Sequence, residues 1–367
     1  GGDGHDVLTG NTATNQLFGF RGNDAIFGGG GNDILGGGLG WNYIDGGANS
    51  DTLYLHGLNG AGYDLVTFYN GVVHSLDRYD GSYSTIVNVE NFLGFGQGLA
   101  LGQVQTFDSL RYNASYDDLA AVFRTGVDQG YSHYVNNGFA EGREITFNAQ
   151  QYLYNHADLQ GAFGGNLAAA TNHFLMAGVD EHRLTEDPYD YIASYTDLIG
   201  AFGGLTYQQQ KAAALSHYQG SGFTEGRRSG IDFDAQQYLA NYGDLQGAYG
   251  TNDDLAAIHY INSGYAEKRM WEDPLDYIAS FADLIGAFGG GSSASIVANG
   301  LAHFQGSGFT EGRRDGIDFD VDAYLYKYTD LQSAFANGSG GYYEDAATLH
   351  FIQYGYGEGR SDDVLMS

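Results

Sequence analysis

Cysteine is absent from the 367 residues, which excludes disulfide staples and thiolate metal sites. Cationic side chains are few: Lys and Arg total 15 against 45 Asp and Glu, for a formal charge of -30. Such a chain repels nucleic acid and anionic membranes, and binding cations would relieve its self-repulsion. No apolar stretch reaches the length needed to cross a bilayer. HExxH, GxSxG, the phosphate loop GxxxxGK(S/T) and the EF-hand pattern are also missing, so no catalytic motif marks the chain.

What the chain does have is counted glycine. From Gly1 it divides into nine-residue blocks, GGDGHDVLT, GNTATNQLF, GFRGNDAIF, GGGGNDILG, GGLGWNYID and GGANSDTLY. The sixth residues are Asp6, Asn15, Asp24, Asp33, Asn42 and Asp51; the eighth are Leu8, Leu17, Ile26, Leu35, Ile44 and Leu53. A fixed short period marks a solenoid whose block is one structural unit. Each block reads as a tight glycine turn, where positive φ costs little, and a short strand whose eighth-position aliphatic points inward. Two blocks make one coil, so turns on one side lie two blocks apart. Stacking then brings Asp6 beside Asp24 and Asp33 beside Asp51, while Asn15 with Asp33 and Asp24 with Asn42 offer one carboxylate each and bind more weakly. A hard divalent cation resolves this column of like charge, because calcium accepts six to eight oxygens from carboxylates and backbone carbonyls. The turn glycines Gly2, Gly4, Gly22, Gly29, Gly31 and Gly47 are the candidate carbonyl donors.

Over residues 1–56 the pattern resembles the RTX family of calcium-binding repeats, GGxGxDxUx with U a large aliphatic. The resemblance implies a parallel β-roll, Ca2+ as the bound ion, and a secreted bacterial protein. Blocks two and five depart from it by carrying asparagine. The C-terminal SDDVLMS looks like the acidic-then-apolar signal of type I secretion substrates. A roll that is unfolded in low-calcium cytosol and folds outside fits that route, since metal-binding energy is folding energy. Because the chain opens on Gly1 inside the array, it is expected to be the C-terminal part of a longer protein.

Residues 57–106 are expected to be β-rich, capping the open end of the solenoid, with hairpin turns at Asn70-Gly71 and Asp80-Gly81. The segment IVNVENFLGFG also resembles the stretch commonly found just after RTX arrays; no chemistry is evident in it.

From Phe107 a longer repeat begins, expected to run to residue 361 and to leave 362–367 as the tail. A tyrosine precedes Asp-Leu by six residues at Tyr112, Tyr152, Tyr191, Tyr238, Tyr277 and Tyr324. A histidine follows at His133, His173, His217, His259, His303 and His350, with glycine five later, glutamate eight later and arginine two beyond that. The tyrosine spacings of 40, 39, 47, 39 and 47 show a pair of copies duplicated 86 residues on. Six helical hairpins are expected. Asn148 with Gln151, and Asp234 with Gln237, read as capping boxes; Asp187-Pro188 and Asp273-Pro274, which hold the only two prolines, read as cap plus first turn. Asp197 or Asp283 is expected to cap a restarted helix, Gly222 to be a left-handed C-cap, and each histidine to sit at a helix C-terminus bonding an aspartate or a carbonyl. The Glu-x-Arg pairs read as turn fasteners or as joints between copies. These tandem hairpins resemble a module of secreted bacterial RTX proteins, without a settled activity.

The fold class expected is therefore multidomain α and β: an N-terminal parallel β-roll with a β cap, then an all-α array. The function expected is that of a non-enzymatic cell-surface structural protein of S-layer, filament or adhesin type that self-associates as a homo-oligomer. The alternatives are the noncatalytic C-terminal region of a secreted hydrolase, and a module binding surface or matrix polysaccharide through its many tyrosines.

Overall fold

A computed structural model describes residues 1–55, 63–67, 72–77, 81–94, 97–100, 104–336 and 342–362. The nine-residue period becomes six short strands: β1 (Val7–Thr9), β2 (Gln16–Arg21), β3 (Ala25–Phe27), β4 (Ile34–Leu39), β5 (Trp41–Asp45) and β6 (Thr52–Tyr54). They alternate between two sheets. β1, β3 and β5 are neighbours in one sheet and β2, β4 and β6 in the other, all parallel. Val7 pairs with Ala25 and Gln16 with Ile34, so one coil takes 18 residues. Side chains at successive strand positions point to opposite faces, which sends the eighth-position aliphatic into the space between the sheets. Ile26, Leu35 and Ile44 are wholly buried and Leu53 nearly so; Leu8 and Leu17, in the first coil, are partly covered. The turns need glycine where coils touch: Gly22 has φ +119, and a Cβ there would collide with the Gly4 carbonyl of the coil before.

Both sheets continue past the repeat. β7 (Tyr63–Thr67), β8 (Val73–Asp77) and β9 (Tyr83–Val87) form an antiparallel meander, with β9 laid parallel on β5 and β12 (Gln105–Thr106) on β7. β10 (Asn91–Gly94) lies parallel on β6 and pairs antiparallel with β11 (Gln97–Ala100). Asn70, Gly71 and Asp80 lie outside the described residues; Gly81 has φ +69.

The remainder is helical, with 18 short α-helices among the described residues. The first three show the unit: α1 (Ser109–Ser115), α2 (Asp117–Phe123), α3 (Val127–His133), then a wide turn closed by Phe139 N–H donating to the Tyr134 carbonyl at 2.9 Å. Here the histidine expectation is corrected. His133 Nδ1 bonds neither an aspartate nor a carbonyl but the Tyr112 hydroxyl, at 2.9 Å. The same bond joins Tyr152 to His173, Tyr191 to His217, Tyr238 to His259, Tyr277 to His303 and Tyr324 to His350, at 2.8 to 3.0 Å. Each of these tyrosine side chains is fully buried, and a buried hydroxyl requires a partner. The glycine five residues after the histidine follows from this: a Cβ on Gly138 or Gly222 would overlap the tyrosine oxygen. Gly222 is accordingly not a left-handed cap. The left-handed residue is Gly226, φ +69.

The aspartates of Asp-Leu are likewise not caps; the residues before those helices, Tyr195 and Phe281, cap without a side-chain bond. Asp197 instead receives Arg227 Nη2 at 2.8 Å, and Arg227 Nε donates to Glu225. Arg143, Arg183, Arg269, Arg313 and Arg360 make the same two pairings within their own units. The Glu-x-Arg pairs are therefore turn fasteners. Asn148, Asp234, Asp187 and Asp273 do cap their helices, the last two before proline. Only half of each capping box forms: the cap oxygen accepts from the Gln151 or Gln237 amide, while the glutamine side chain is seen donating through Nε2 to Asn155 or Asn241.

Neighbouring units share cores, one of them spanning residues 184–271 and another 270–352. Arg228, 6% exposed in its side chain, crosses between units to Glu186 Oε1 (2.7 Å), Asp117 Oδ1 (2.8 Å) and the Ala114 carbonyl (2.7 Å). Its counterpart Arg314 pairs with Glu272 at 2.6 Å and lies over the Trp271 ring. No helix of the described residues is long and apolar enough to cross a membrane.

Candidate metal centre

Every sixth position ends a glycine turn and opens a strand, so the 18-residue register fixes where its side chain goes. The Asp6 amide donates to Asp24 Oδ1 at 2.8 Å, Asn15 to Asp33 Oδ1 at 2.8 Å, Asp24 to Asn42 Oδ1 at 3.0 Å and Asp33 to Asp51 Oδ1 at 2.8 Å. The four same-side pairs expected from the sequence are thus adjacent. One oxygen of each carboxylate is satisfied in this way. The other is not: Oδ2 of Asp24, Asp33 and Asp51 is buried with no hydrogen-bond partner. These residues are 2%, 1% and 0% exposed. A buried charge without a partner costs several kcal/mol or so, and three in one winding point to a cation as the partner.

Asn42 provides an internal comparison. Its Nδ2 donates to the Gly38 carbonyl at 3.2 Å, so an amide in the sixth position satisfies itself on the turn. An aspartate at that place has no proton to donate. The surrounding backbone is correspondingly open. A Cβ on Gly28 would stand 2.6 Å from Asp33 Oδ2 and collide with the Gly46 carbonyl of the next coil; one on Gly19 would meet the Gly37 carbonyl at 2.5 Å and collide with Asp24 Oδ2. First-position glycines therefore leave room where a carboxylate oxygen and a carbonyl of the next coil face one another. Among the described residues no three acidic or histidine side chains converge, so backbone carbonyls supply the balance of any ligand set. That donor set is hard oxygen of the kind calcium accepts.

The six glycines chosen from the sequence occupy the same turns in different ways. The Gly2 amide donates to Asp6 Oδ2 at 2.8 Å, and its carbonyl accepts from Arg21. The Gly4 carbonyl lies against Gly22, that of Gly29 against Gly47, and Gly31 packs on Ala13. The glycines flanking the unpartnered oxygens are Gly19, Gly28 and Gly46, which the sequence reading did not single out. The signal was available, since all six blocks begin with glycine, Gly10 of the irregular second block included. Asp51 is the most enclosed carboxylate. Burial raises its carboxyl above the usual range and Asp33, Glu90 and Asp45 add to the rise, against the Asp33 amide bond, which lowers it.

Stacked glycine turns with enclosed acid oxygens define a calcium-binding repeat. Residues 1–35 match the family model of the RTX calcium-binding nonapeptide repeat in four copies. These residues are thus similar to RTX repeats, and Ca2+ is the ion that such repeats bind. No curated protein matches the chain.

Proposed function

We propose that this is a secreted RTX protein that folds on calcium after type I export and serves as a structural or assembly component at the bacterial cell surface. In this reading residues 1–56 are a parallel β-roll, 57–106 its cap, 107–361 six helical-hairpin repeats and 362–367 a secretion tail, of which 363–367 lie outside the described residues. Asp6, Asp24, Asp33 and Asp51, with weaker contributions at Asn15 and Asn42, hold the ions together with turn carbonyls. The carrying observation is the set of buried, unpartnered oxygens on Asp24, Asp33 and Asp51: they make an ordered winding conditional on a cation, which matches a protein exported unfolded. The helical half supports the assembly role, because its recurring polar groups are spent on its own geometry. The joint between units also repeats, with Gln219 donating to the Glu181 carbonyl and Gln305 to that of Glu267.

Electron microscopy of the purified chain with and without calcium tests this. Ordered sheets or filaments with calcium alone are expected. Single particles under both conditions, with calcium bound, would overturn the assembly role and leave the ion sites standing.

A further inference from the structure

The last coil of the winding has no seventh and eighth nonapeptide block to stack on, yet its turn is covered. The flanks of the turn at 46–51 are paired as in every earlier coil: Gly46 N–H donates to the Val87 carbonyl at 3.0 Å and Asn91 N–H to the Asp51 carbonyl at 3.1 Å. These reproduce the bonds Gly28 to Asp45 and Thr52 to Asp33 one coil earlier. Between those flanks the repeat spends six residues, 46–51, and the covering strand only three, 88–90. A shorter turn sits further back, and a longer acid bridges the difference: the Asp51 amide donates to Glu90 Oε2 at 2.8 Å, where the Asp33 amide donates to Asp51 Oδ1. The first-position carbonyl is reproduced as well. A Cβ on Gly46 would stand 2.8 Å from Asp51 Oδ2 and collide with the Asn88 carbonyl, as one on Gly28 meets Asp33 Oδ2 and the Gly46 carbonyl. Asn88 takes φ +52, a conformation asparagine tolerates better than most residues, and Asp45 Oδ1 holds its side chain by accepting from Nδ2 at 2.8 Å.

We propose that Glu90 and the Asn88 carbonyl, outside the nonapeptide frame, complete a last divalent-cation site on Asp51, whose wholly buried Oδ2 is aimed into it without a partner. The site takes a hard ion of the calcium class, with two carboxylates and at least one carbonyl as donors. Asp45 is a positioning residue that fixes Asn88. The assignment rests on the reading of the winding as a calcium array, and it gives residues 88–90 a binding role that the repeat pattern does not reach.

Calorimetric calcium titration of the full chain, comparing wild type with Glu90→Gln and Asp24→Asn, tests it. Glutamine keeps an oxygen for the Asp51 amide but loses the charge, so Glu90→Gln should lose one calcium equivalent or weaken one site by ~tenfold or more, leaving the others as they were. An unchanged isotherm for Glu90→Gln beside a weakened one for Asp24→Asn overturns the Glu90 site alone. A wild type that binds no calcium overturns the array reading with it. Should Glu90→Gln fail to fold, terbium soaked into wild-type crystals decides: an anomalous peak between Asp51 and Glu90 supports the site, and peaks confined to earlier coils overturn it.

Discussion

The winding and the helical array carry the same acidic excess and dispose of it in opposite ways. Residues 1–55 hold six aspartates and a single cationic side chain other than histidine, Arg21. In the array each Asp-Leu aspartate faces an arginine of its own unit, itself braced by a glutamate two residues before it and, in five units, laid over an aromatic ring. Arg183 holds the Asp158 carboxyl below its usual range by direct hydrogen bonding. On the proposed reading the winding takes its countercharge from solution, whereas the Asp-Leu and Glu-x-Arg carboxylates of the array take theirs from arginines of the same chain. That reading makes the stability of one half conditional on the ion and that of the other not.

Removing calcium should break the chain along that division, and this is the largest effect expected. With chelator, residues 1 to about 56 should lose order while the helical circular dichroism of 107 onward stays; loss of both together would contradict the separation. Next comes Arg228→Ala, which leaves Glu186 and Asp117 without their cation in a crowded joint and should cost ~3 kcal/mol in urea unfolding of the helical signal. Since Arg228 and its two carboxylates are paired within the chain, that loss should be equal at high and low calcium. Asp33→Ala and Asp24→Ala act on the other side of the comparison. Each side chain lies between two same-side neighbours, so each should weaken two sites by ~tenfold in a calcium titration, while Asp158→Ala, which removes an exposed partner of Arg183, should leave the titration alone and cost under ~1 kcal/mol.

The two halves were also unequally legible. In the winding, period and chemistry coincide: the same nine-residue count sets strand, turn and acid, so the 18-residue register and the adjacency of Asp33 to Asp51 follow from position alone. What escaped was the carbonyl geometry. Which of several glycines in a turn faces Asp33 Oδ2 depends on backbone torsions, and only the structure singles out Gly28. In the array the period was equally clear but the partners were not. Tyrosine and histidine 21 or 26 residues apart meet across a hairpin whose closure the spacing does not encode, so His133 could be placed at a helix end without revealing Tyr112 as its partner. Arg228 was hidden by its neighbour Arg227, which obeys the repeat; the doubled arginine recurring at Arg313 and Arg314 was the usable sign.

The smallest effect tests whether the array's self-sufficiency is complete. Among the acidic groups there without an arginine partner are two enclosed clusters. Asp187, pushed up to about 6, and Asp190, raised as well, face Asp253 and Asp254 with Lys211 nearby. Eighty-six residues on, Asp276 faces Asp273, Glu344 and Asp345, the Thr348 hydroxyl donates to it at 3.4 Å, and the place of Lys211 is taken by Val297. Burial first, then Asp273, pushes Asp276 up to about 7 from the ordinary 3.8. The folded chain therefore holds this proton over a pH range in which the unfolded chain has released it. Stability falls as pH rises from about 4 to about 7, and the penalty is fully present above that range. Asp276→Asn removes the charge and keeps the shape, so at pH 8 and saturating calcium it should raise the helical melting temperature by on the order of 3 °C, and at pH 5 by much less. Equal shifts at both pH values would mean that the carboxylate is hydrated rather than enclosed, and the array would then tolerate unpaired acid as readily as the winding requires it.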